Sequence, residues 1–188
     1  MVRSVQLATA VLAVLGAFAS IGCREPTPAP STLSVPSAPA SGELKVGDPA
    51  PAVVATASDG STVDLAKLKG RWVVVYFYPK DDTPGCTKEA CAFRDAWSRL
   101  DKANVSVIGV SVDDHESHKA FAAKHKLPFP LLADTDRRIC KAFGVPVTAG
   151  FAARTTFLVG TDGKIAKIYP KVDPGVHADQ ILASIPPG

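Results

Sequence analysis

Apolar residues along positions 43–188 form short runs and alternating stretches of the lengths typical of strands. The apolar runs at 71–79 and 105–112 predict strands that are covered on both faces of a sheet. Alternating patterns flank Asp59-Gly60 and Asp162-Gly163, and such dipeptides favour tight turns, so both segments are predicted to be hairpins. A further short strand is expected in FPLLAD, residues 129–134.

Helices are predicted between these strands. One begins at Thr83, a capping residue type, with Pro84 in the first position, where a missing N–H costs little. Its apolar face has a spacing of three or four and comprises Ala90, Cys91, Phe93, Trp97 and Leu100. Other helices are expected at 115–127, at 136–145 with Gly144 as C-terminal cap, and at 175–185. The order of elements predicts an α/β domain of three layers, with a mixed central sheet and an N-terminal β-hairpin.

Residues 1–23 have the composition of a signal peptide. Arg3 supplies one positive charge, and no other charge follows until Arg24. Scattered polar and small residues make this stretch a weak membrane span, so export to the periplasm is expected.

Two processing outcomes compete in this segment. The motif at 17–19 fits ordinary signal cleavage, whereas SIGC at 20–23 resembles the lipobox of bacterial lipoproteins. That pattern usually has Leu where Ser20 stands. We expect acylation of Cys23 rather than a spare thiol, because the residue lies between an apolar segment and a linker, where it has little to pack against.

Residues 24–42 are rich in Pro, Ser and Ala and are expected to be a tether. The rest, 43–188, has the size of one domain. A net charge of +3 with scattered basic residues argues against nucleic acid as a partner.

The chemistry of the sequence concentrates around two of its four cysteines. Cys86 and Cys91 lie five positions apart, which matches neither a C-x-x-C redox pair nor the usual zinc pairs. Cys86 falls in the first turn of the predicted helix, where free N–H groups and the helix dipole favour a thiolate. Asp81 and Asp82 oppose a second negative charge, so an arginine is expected nearby to offset them.

The spacing also constrains a disulfide. Five helical residues advance ~7.5 Å, beyond the Cα separation of about 7 Å that a disulfide tolerates. The two thiols can therefore bond only if the first turns of the helix unwind, as in peroxide-reactive thiols that pass through a sulfenic acid. From spacing alone, simple packing explains Cys91 equally well, and Thr83 is equally well explained as only a cap.

These residues resemble a known family. Pro79-x-x-x-Thr83-x-x-Cys86 is similar to the peroxiredoxin active-site motif, and FYPKDDTPGCTKEACAFRD at 77–95 resembles the PrxQ, or bacterioferritin comigratory, subfamily. The resemblance extends from LKVGDPAP at 44–51 through RTTFLVGTDGKI to the C-terminus.

The resemblance implies a thioredoxin-like fold and a thiol-dependent peroxidase acting on hydrogen peroxide and organic hydroperoxides. It implies that Cys86 is the peroxidatic cysteine, that Pro79 shields the pocket and that Thr83 hydrogen-bonds the sulfur and the peroxide. It implies that Arg154 supplies the cation. It also implies that Cys91 is the resolving cysteine, with a disulfide formed within one chain. Thioredoxin or a relative is the implied reductant, and no metal or organic cofactor is implied.

The chain departs from the family pattern in two places. Many relatives carry a longer segment where this chain has PVTAGFAA at 146–153. The resemblance therefore does not define the rim of the pocket or the dimer surface of this chain. We expect a monomer or a weak homodimer. The second departure is the export signal, because export would separate the protein from cytosolic thioredoxin. The resemblance therefore does not identify the reductant of this chain.

Three other functions fit the sequence less well. A thiol–disulfide exchanger normally uses C-x-x-C, and a thioredoxin-fold copper chaperone uses C-x-x-x-C with a distant histidine. Copper binding would also leave Thr83 and Arg154 without a role. A purely structural exported domain would not explain a thiol at a helix start, so peroxidase activity is the prediction.

The remaining candidate residues are assigned smaller roles. Cys140 is expected to pack rather than to resolve a sulfenic acid. The three histidines of the 115–127 helix are expected on a solvated surface. Arg94 is a candidate second cation near Cys91, and His177 has no partner identifiable from the sequence.

Overall fold

A five-stranded mixed sheet organises the protein in a computed structural model that describes residues 43–186. The predicted signal peptide at 1–23, the linker at 24–42 and the acylation site Cys23 lie outside these residues. Within 43–186, no helix combines the length and the hydropathy needed to cross a bilayer.

The described residues contain nine strands and five α-helices. The strands are β1 (Val54–Thr56), β2 (Thr62–Asp64), β3 (Trp72–Phe77), β4 (Val105–Ser111), β5 (Leu131–Ala133), β6 (Val147–Thr148), β7 (Phe151–Ala152), β8 (Thr155–Val159) and β9 (Ile165–Tyr169). The helices are α1 (Pro84–Asp95), α2 (Trp97–Lys102), α3 (His115–His125), α4 (Arg138–Phe143) and α5 (His177–Leu182), and a 3-10 turn covers Leu65–Leu68.

The central sheet has the strand order β5-β4-β3-β8-β9. Strand β3 runs parallel to β4 and antiparallel to β8, so it is hydrogen-bonded on both edges. Strand β4 is parallel to β5, and β9 closes the other side antiparallel to β8. The predicted mixed sheet is therefore confirmed, as are the N-terminal hairpin of β1 and β2 and the hairpin of β8 and β9.

Two hydrophobic cores cover the two faces of the sheet and make three layers. Val74 and Tyr76 of β3 point into a core shared with α1, α2, α3 and α5. Val73, Val75 and Phe77 alternate with them and point into a second core, formed with α4 and the N-terminal hairpin. This double coverage is why the sequence of β3 is apolar at consecutive positions.

The structure departs from the sequence predictions in two segments. The helix expected from Thr83 to about residue 100 is divided at Ala96, whose φ of −84° and ψ of −3° separate α1 from α2. Residues 147–152 form a small hairpin, β6–β7, that the sequence did not predict. Its turn places Ala149 and Gly150 at positive φ, the geometry of tight hairpins, but Ala-Gly is a weak turn signal in a sequence.

Candidate active site

The first turn of α1 holds Cys86 against the sheet. Thr83 is the N-cap residue and Pro84 begins the helix, so Cys86 is in the turn whose N–H groups have no intrahelical acceptor. Its side chain is a free thiol, only 2% exposed, and packs in the same core as Tyr76. A thiolate at this position would be stabilised by the helix N-terminus.

Arg154 brings a positive charge to this sulfur. It directly precedes β8, the strand paired with β3, and its Nη2 donates a hydrogen bond to Cys86 Sγ at 3.1 Å. Its Nη1 donates to Glu89 Oε2. Burial acts to lower the pKa of Arg154, but its interactions with Glu89 and with the Cys86 sulfur outweigh this effect and raise that pKa above its usual value. The guanidinium therefore stays charged beside the sulfur.

Glu89 is a part of this site that the sequence analysis missed. It lies three residues after Cys86 on α1, is 0% exposed, and has one carboxylate oxygen, Oε1, without a hydrogen-bond partner among the described residues. Burial raises its pKa to about 7, against the opposing effects of the charge and hydrogen bond of Arg154. The i, i+3 spacing of Cys86 and Glu89 is a signal that they share a helix face.

The two acidic residues before the helix have hydrogen-bond partners on α3. Asp81 accepts hydrogen bonds from Tyr78 Oη at 2.8 Å and from Ser117 Oγ at 2.7 Å, and its Oδ2 lies 2.8 Å from His118 Nδ1. His118 is 0% exposed, and its Nε2 lies 3.1 Å from the carbonyl oxygen of Leu132. The predicted surface position of His118 is therefore wrong: the residue forms a buried pair with Asp81, because α3 packs this face on the loop before α1.

Asp82 contacts the same helix at its other end. Lys124 Nζ and His125 Nε2 lie 2.9 Å and 3.0 Å from its Oδ1. These hydrogen bonds, His125 first, lower the pKa of Asp82. The side chain of His125 is 18% exposed, so this histidine too is not on the predicted solvated surface. The negative charges expected to oppose a thiolate thus have their own partners.

Cys91 lies on another face of α1, away from Cys86. It is half-buried, and its Sγ is 4.0 Å from His125 Nδ1. Arg94 donates through Nη1 to the backbone oxygen of His125 at 2.9 Å and pairs with Asp95. Arg94 therefore lies on the Cys91 side of the helix, where the sequence analysis placed it.

Thr83 and Pro79 occupy the loop that leads to Cys86. Thr83 occupies the N-cap position as predicted, and its backbone oxygen accepts from Thr87 N at 2.9 Å. Its side chain makes no capping bond, which corrects the predicted cap, and its hydroxyl instead donates to the backbone oxygen of Lys80 at 3.0 Å. That hydroxyl oxygen keeps its lone pairs for another donor. Pro79 is half-buried and follows β3.

The remaining candidate residues, Cys140 and His177, have partners within the fold. Cys140 is 1% exposed, and burial together with the hydrogen bond and charge of Asp134 raises its pKa well above the usual value, as suits a packing residue. His177, for which the sequence suggested no partner, lies with Nε2 2.9 Å from Thr156 Oγ1 and Nδ1 3.3 Å from Gln180 Oε1. Burial lowers the pKa of His177, so it is neutral near pH 7.

One cluster has the composition of a metal site. Asp81, Asp113 and His118 each offer a ligand atom, and these atoms lie within 4.8 Å of one another. Asp113 Oδ2 also accepts from Asp81 N at 2.9 Å and from Ser111 Oγ at 2.7 Å. The cluster is thus a hydrogen-bond network whose members satisfy one another.

Comparisons with known proteins agree with this architecture. Residues 46–168 match the AhpC/TSA family. A putative peroxiredoxin bcp of Coxiella burnetii is 43% identical over 149 residues, which cover 76% of this chain and 99% of that protein. The chloroplastic peroxiredoxin Q of Populus jackii is 44% identical over 143 residues, covering 74% of this chain and 67% of that protein.

Solved structures give the same result. The crystal structure of peroxidoxin BcpB from Mycobacterium tuberculosis superimposes with a TM-score of 0.71 at 33% identity, covering 76% of this chain and 97% of that one. Peroxiredoxin Q of Xanthomonas campestris gives a TM-score of 0.69 at 37% identity, covering 76% and 94%. The sequence matches and the thioredoxin-like fold show that the chain belongs to the peroxiredoxin family, in the peroxiredoxin Q or bacterioferritin comigratory group, and is a thiol-dependent peroxidase.

Proposed function

We propose that Cys86 is the peroxidatic cysteine and that Cys91 resolves it as an intramolecular disulfide. One observation carries the assignment of Cys86: its sulfur combines a place in the first turn of α1 with a guanidinium nitrogen of Arg154 at 3.1 Å. Both features stabilise a thiolate, and the thiolate is the form of cysteine that attacks peroxide.

In the first step the Cys86 thiolate attacks one peroxide oxygen. An S–O bond forms, the O–O bond breaks, and the sulfur is oxidised to a sulfenic acid while the peroxide is reduced. The leaving oxygen takes a proton and departs as water or an alcohol. In this proposal Arg154 stabilises the charge that develops at this point, and the Thr83 hydroxyl accepts a hydrogen bond from the peroxide.

In the second step Cys91 attacks the Cys86 sulfenic acid, an S–S bond forms, and water leaves. At 100° per residue, the two cysteines point about 140° apart around an intact helix, so α1 must unwind between them. Glu89 and Ala90 are buried in this stretch and would leave their sites. A Glu89 carboxyl with a pKa of about 7 is partly ionised at physiological pH, and because burial disfavours the ionised form, this ionisation favours the unwinding.

Organic hydroperoxides are proposed as substrates beside hydrogen peroxide. The bacterioferritin comigratory protein of Xanthomonas campestris, which is 36% identical to this chain, has been described for its alkyl peroxide reduction activity. A dithiol of the thioredoxin type would then reduce the disulfide and restore both thiols.

Export and lipid anchoring at Cys23 are proposed on the sequence pattern of residues 1–23. In an oxidising periplasm the disulfide form would accumulate unless electrons were relayed across the membrane to a thioredoxin-like partner. A monomer or weak homodimer is proposed as the working state.

The test is a single turnover of the reduced full-length chain with one equivalent of hydrogen peroxide. We expect intact mass and peptide mapping to find a Cys86–Cys91 link, and Cys86→Ser to abolish peroxide consumption. We expect Cys91→Ser to consume peroxide and to retain a sulfenic acid that dimedone traps. Cys140→Ala is the matched control and should behave as the parent. Peroxide consumption that survives in Cys86→Ser would refute the assignment.

A further inference from the structure

A chain of three polar side chains lies on the side of α1 that carries Cys91. The Sγ atom of Cys91 is 4.0 Å from His125 Nδ1, and the other ring nitrogen, Nε2, is 3.0 Å from Asp82 Oδ1. These residues come from the middle of α1, the end of α3 and the loop before α1. The sequence alone does not suggest this arrangement, because 34 positions separate Cys91 from His125.

The carboxylate of Asp82 selects the tautomer of the imidazole. A carboxylate only accepts hydrogen bonds, so the His125 nitrogen beside it, Nε2, carries the proton. In the neutral ring the other nitrogen, Nδ1, is then an acceptor, and this is the nitrogen that faces Cys91. The thiol therefore donates to a base that is already oriented by a third group, which is the arrangement that activates nucleophiles in proteins.

The other charges around this chain are compatible with that role. Arg94 of α1 donates to the backbone oxygen of His125 and holds the end of α3 near Cys91. Lys124 of α3 shares Asp82 Oδ1 at 2.9 Å, but its side chain is 62% exposed and solvent screens its charge. The ring of His125 packs on Phe121 with centroids 4.9 Å apart, which restricts its rotation.

We propose that His125 is the general base for the resolving cysteine and that Asp82 is its positioning residue. The inference rests on the proposed resolution of Cys86 by Cys91. His125 Nδ1 takes the proton of the Cys91 thiol, and the Cys91 sulfur attacks the Cys86 sulfenic sulfur. The S–S bond forms as the S–O bond breaks, Cys91 is oxidised and the sulfenic sulfur of Cys86 is reduced. The departing hydroxide takes a proton and leaves as water, and His125 returns its proton to solvent.

A purely structural role of the same residues makes the opposite prediction. Asp82 connects the loop before α1 to α3 through His125 and Lys124, so this contact also holds α1 in its folded form. If that were its only role, loss of His125 would make unwinding easier and would speed the formation of the disulfide. Loss of a general base slows it.

The experiment separates the two steps in rapid-mixing single turnovers of the reduced full-length chain with one equivalent of hydrogen peroxide. Peroxide loss reports the reaction of Cys86, and acid-quenched peptide mapping reports the Cys86–Cys91 link. The parent, His125→Gln and Asp82→Asn are compared from pH 5.5 to pH 8.5. His115→Gln, the same change at the start of the same helix, is the matched control.

We expect His125→Gln to slow disulfide formation by about 100-fold, the usual contribution of a general base. Peroxide loss should stay within about twofold of the parent, which also shows that the Cys86 site is folded. In the parent, disulfide formation should accelerate as the pH rises, because a general base takes a proton only in its neutral form, and this acceleration should be weaker in His125→Gln. Asp82→Asn should slow the same step, because its amide no longer selects the tautomer.

The other outcomes overturn the inference in distinguishable ways. Disulfide formation in His125→Gln that is as fast as in the parent, or faster, refutes the base and leaves the proposed function intact. A slower step with an unchanged pH profile refutes it also, since that is the signature of a structural effect. Absence of the Cys86–Cys91 link in the parent refutes the resolution step and the inference together. If His125→Gln loses peroxide reactivity through misfolding, Asp82→Asn, which keeps the imidazole, decides between these outcomes.

Discussion

Replacing Glu89 with Gln tests whether burial controls the charge of the active site. The Glu89 carboxyl is 0% exposed, and burial raises its pKa from a usual value of 4.5 to about 7 although Arg154 opposes this shift. Between these two pH values the folded chain keeps a proton that the unfolded chain loses. The stability contributed by this proton is therefore complete below pH 4.5 and is lost as the pH rises to about 7.

The size of the effect follows from the two pKa values. At about 1.4 kcal/mol for each tenfold change in proton affinity, the difference corresponds to about 3 kcal/mol of unfolding free energy. The side-chain amide of the Glu89→Gln variant does not titrate in this range, so the unfolding free energy of the variant lacks this decline. The unfolding free energy of Glu89→Gln minus that of the parent should rise by about 3 kcal/mol between pH 4.5 and pH 8 and then level off.

Urea unfolding of the reduced proteins at several pH values measures this difference. Glu116→Gln, the same substitution at an exposed site in α3, controls for the loss of one carboxylate from the chain. The pH dependence of the difference is the decisive quantity, since the variant also loses its ion pair with Arg154 at any pH. A difference that falls as the pH rises would refute the reasoning, because it would mean that Arg154 holds the carboxylate ionised despite its burial.

Three further predictions concern other parts of the domain. Arg154→Lys should lower the rate of peroxide reduction by about 100-fold in stopped-flow assays, because a single ammonium cannot reach both Cys86 and Glu89. The circular dichroism spectrum should be unchanged. A rate within about twofold of the parent would contradict this prediction. His118→Leu should lower the unfolding free energy by about 3 kcal/mol or more in urea titrations, since it leaves Asp81 buried without its imidazole partner. A loss below about 1 kcal/mol would contradict this and would show that the other two donors are enough to stabilise buried Asp81. Cys140 should react with a maleimide only on unfolding, since its thiol is buried with a raised pKa; labelling of the folded chain at the rate of Cys91 would contradict this.

Local signals in the sequence determined the elements that carry the site. Consecutive apolar residues predicted β3 and β4, and the turn dipeptides Asp59-Gly60 and Asp162-Gly163 predicted both main hairpins. The position of Pro84 predicted the start of α1 and hence the place of Cys86 in its first turn. These signals succeed because backbone preferences and apolar periodicity act over a few neighbouring residues.

The surroundings of each reactive group were decided by tertiary structure. Glu89 meets Arg154 across 65 positions, and Asp81 meets His118 across 37. A histidine on a Lys-rich helix has the same local pattern whether it faces solvent or a buried carboxylate, so the sequence placed His118 wrongly. The charges near a thiol and the water excluded from it depend on which helices and strands pack together, and local propensity carries no information about such distant contacts.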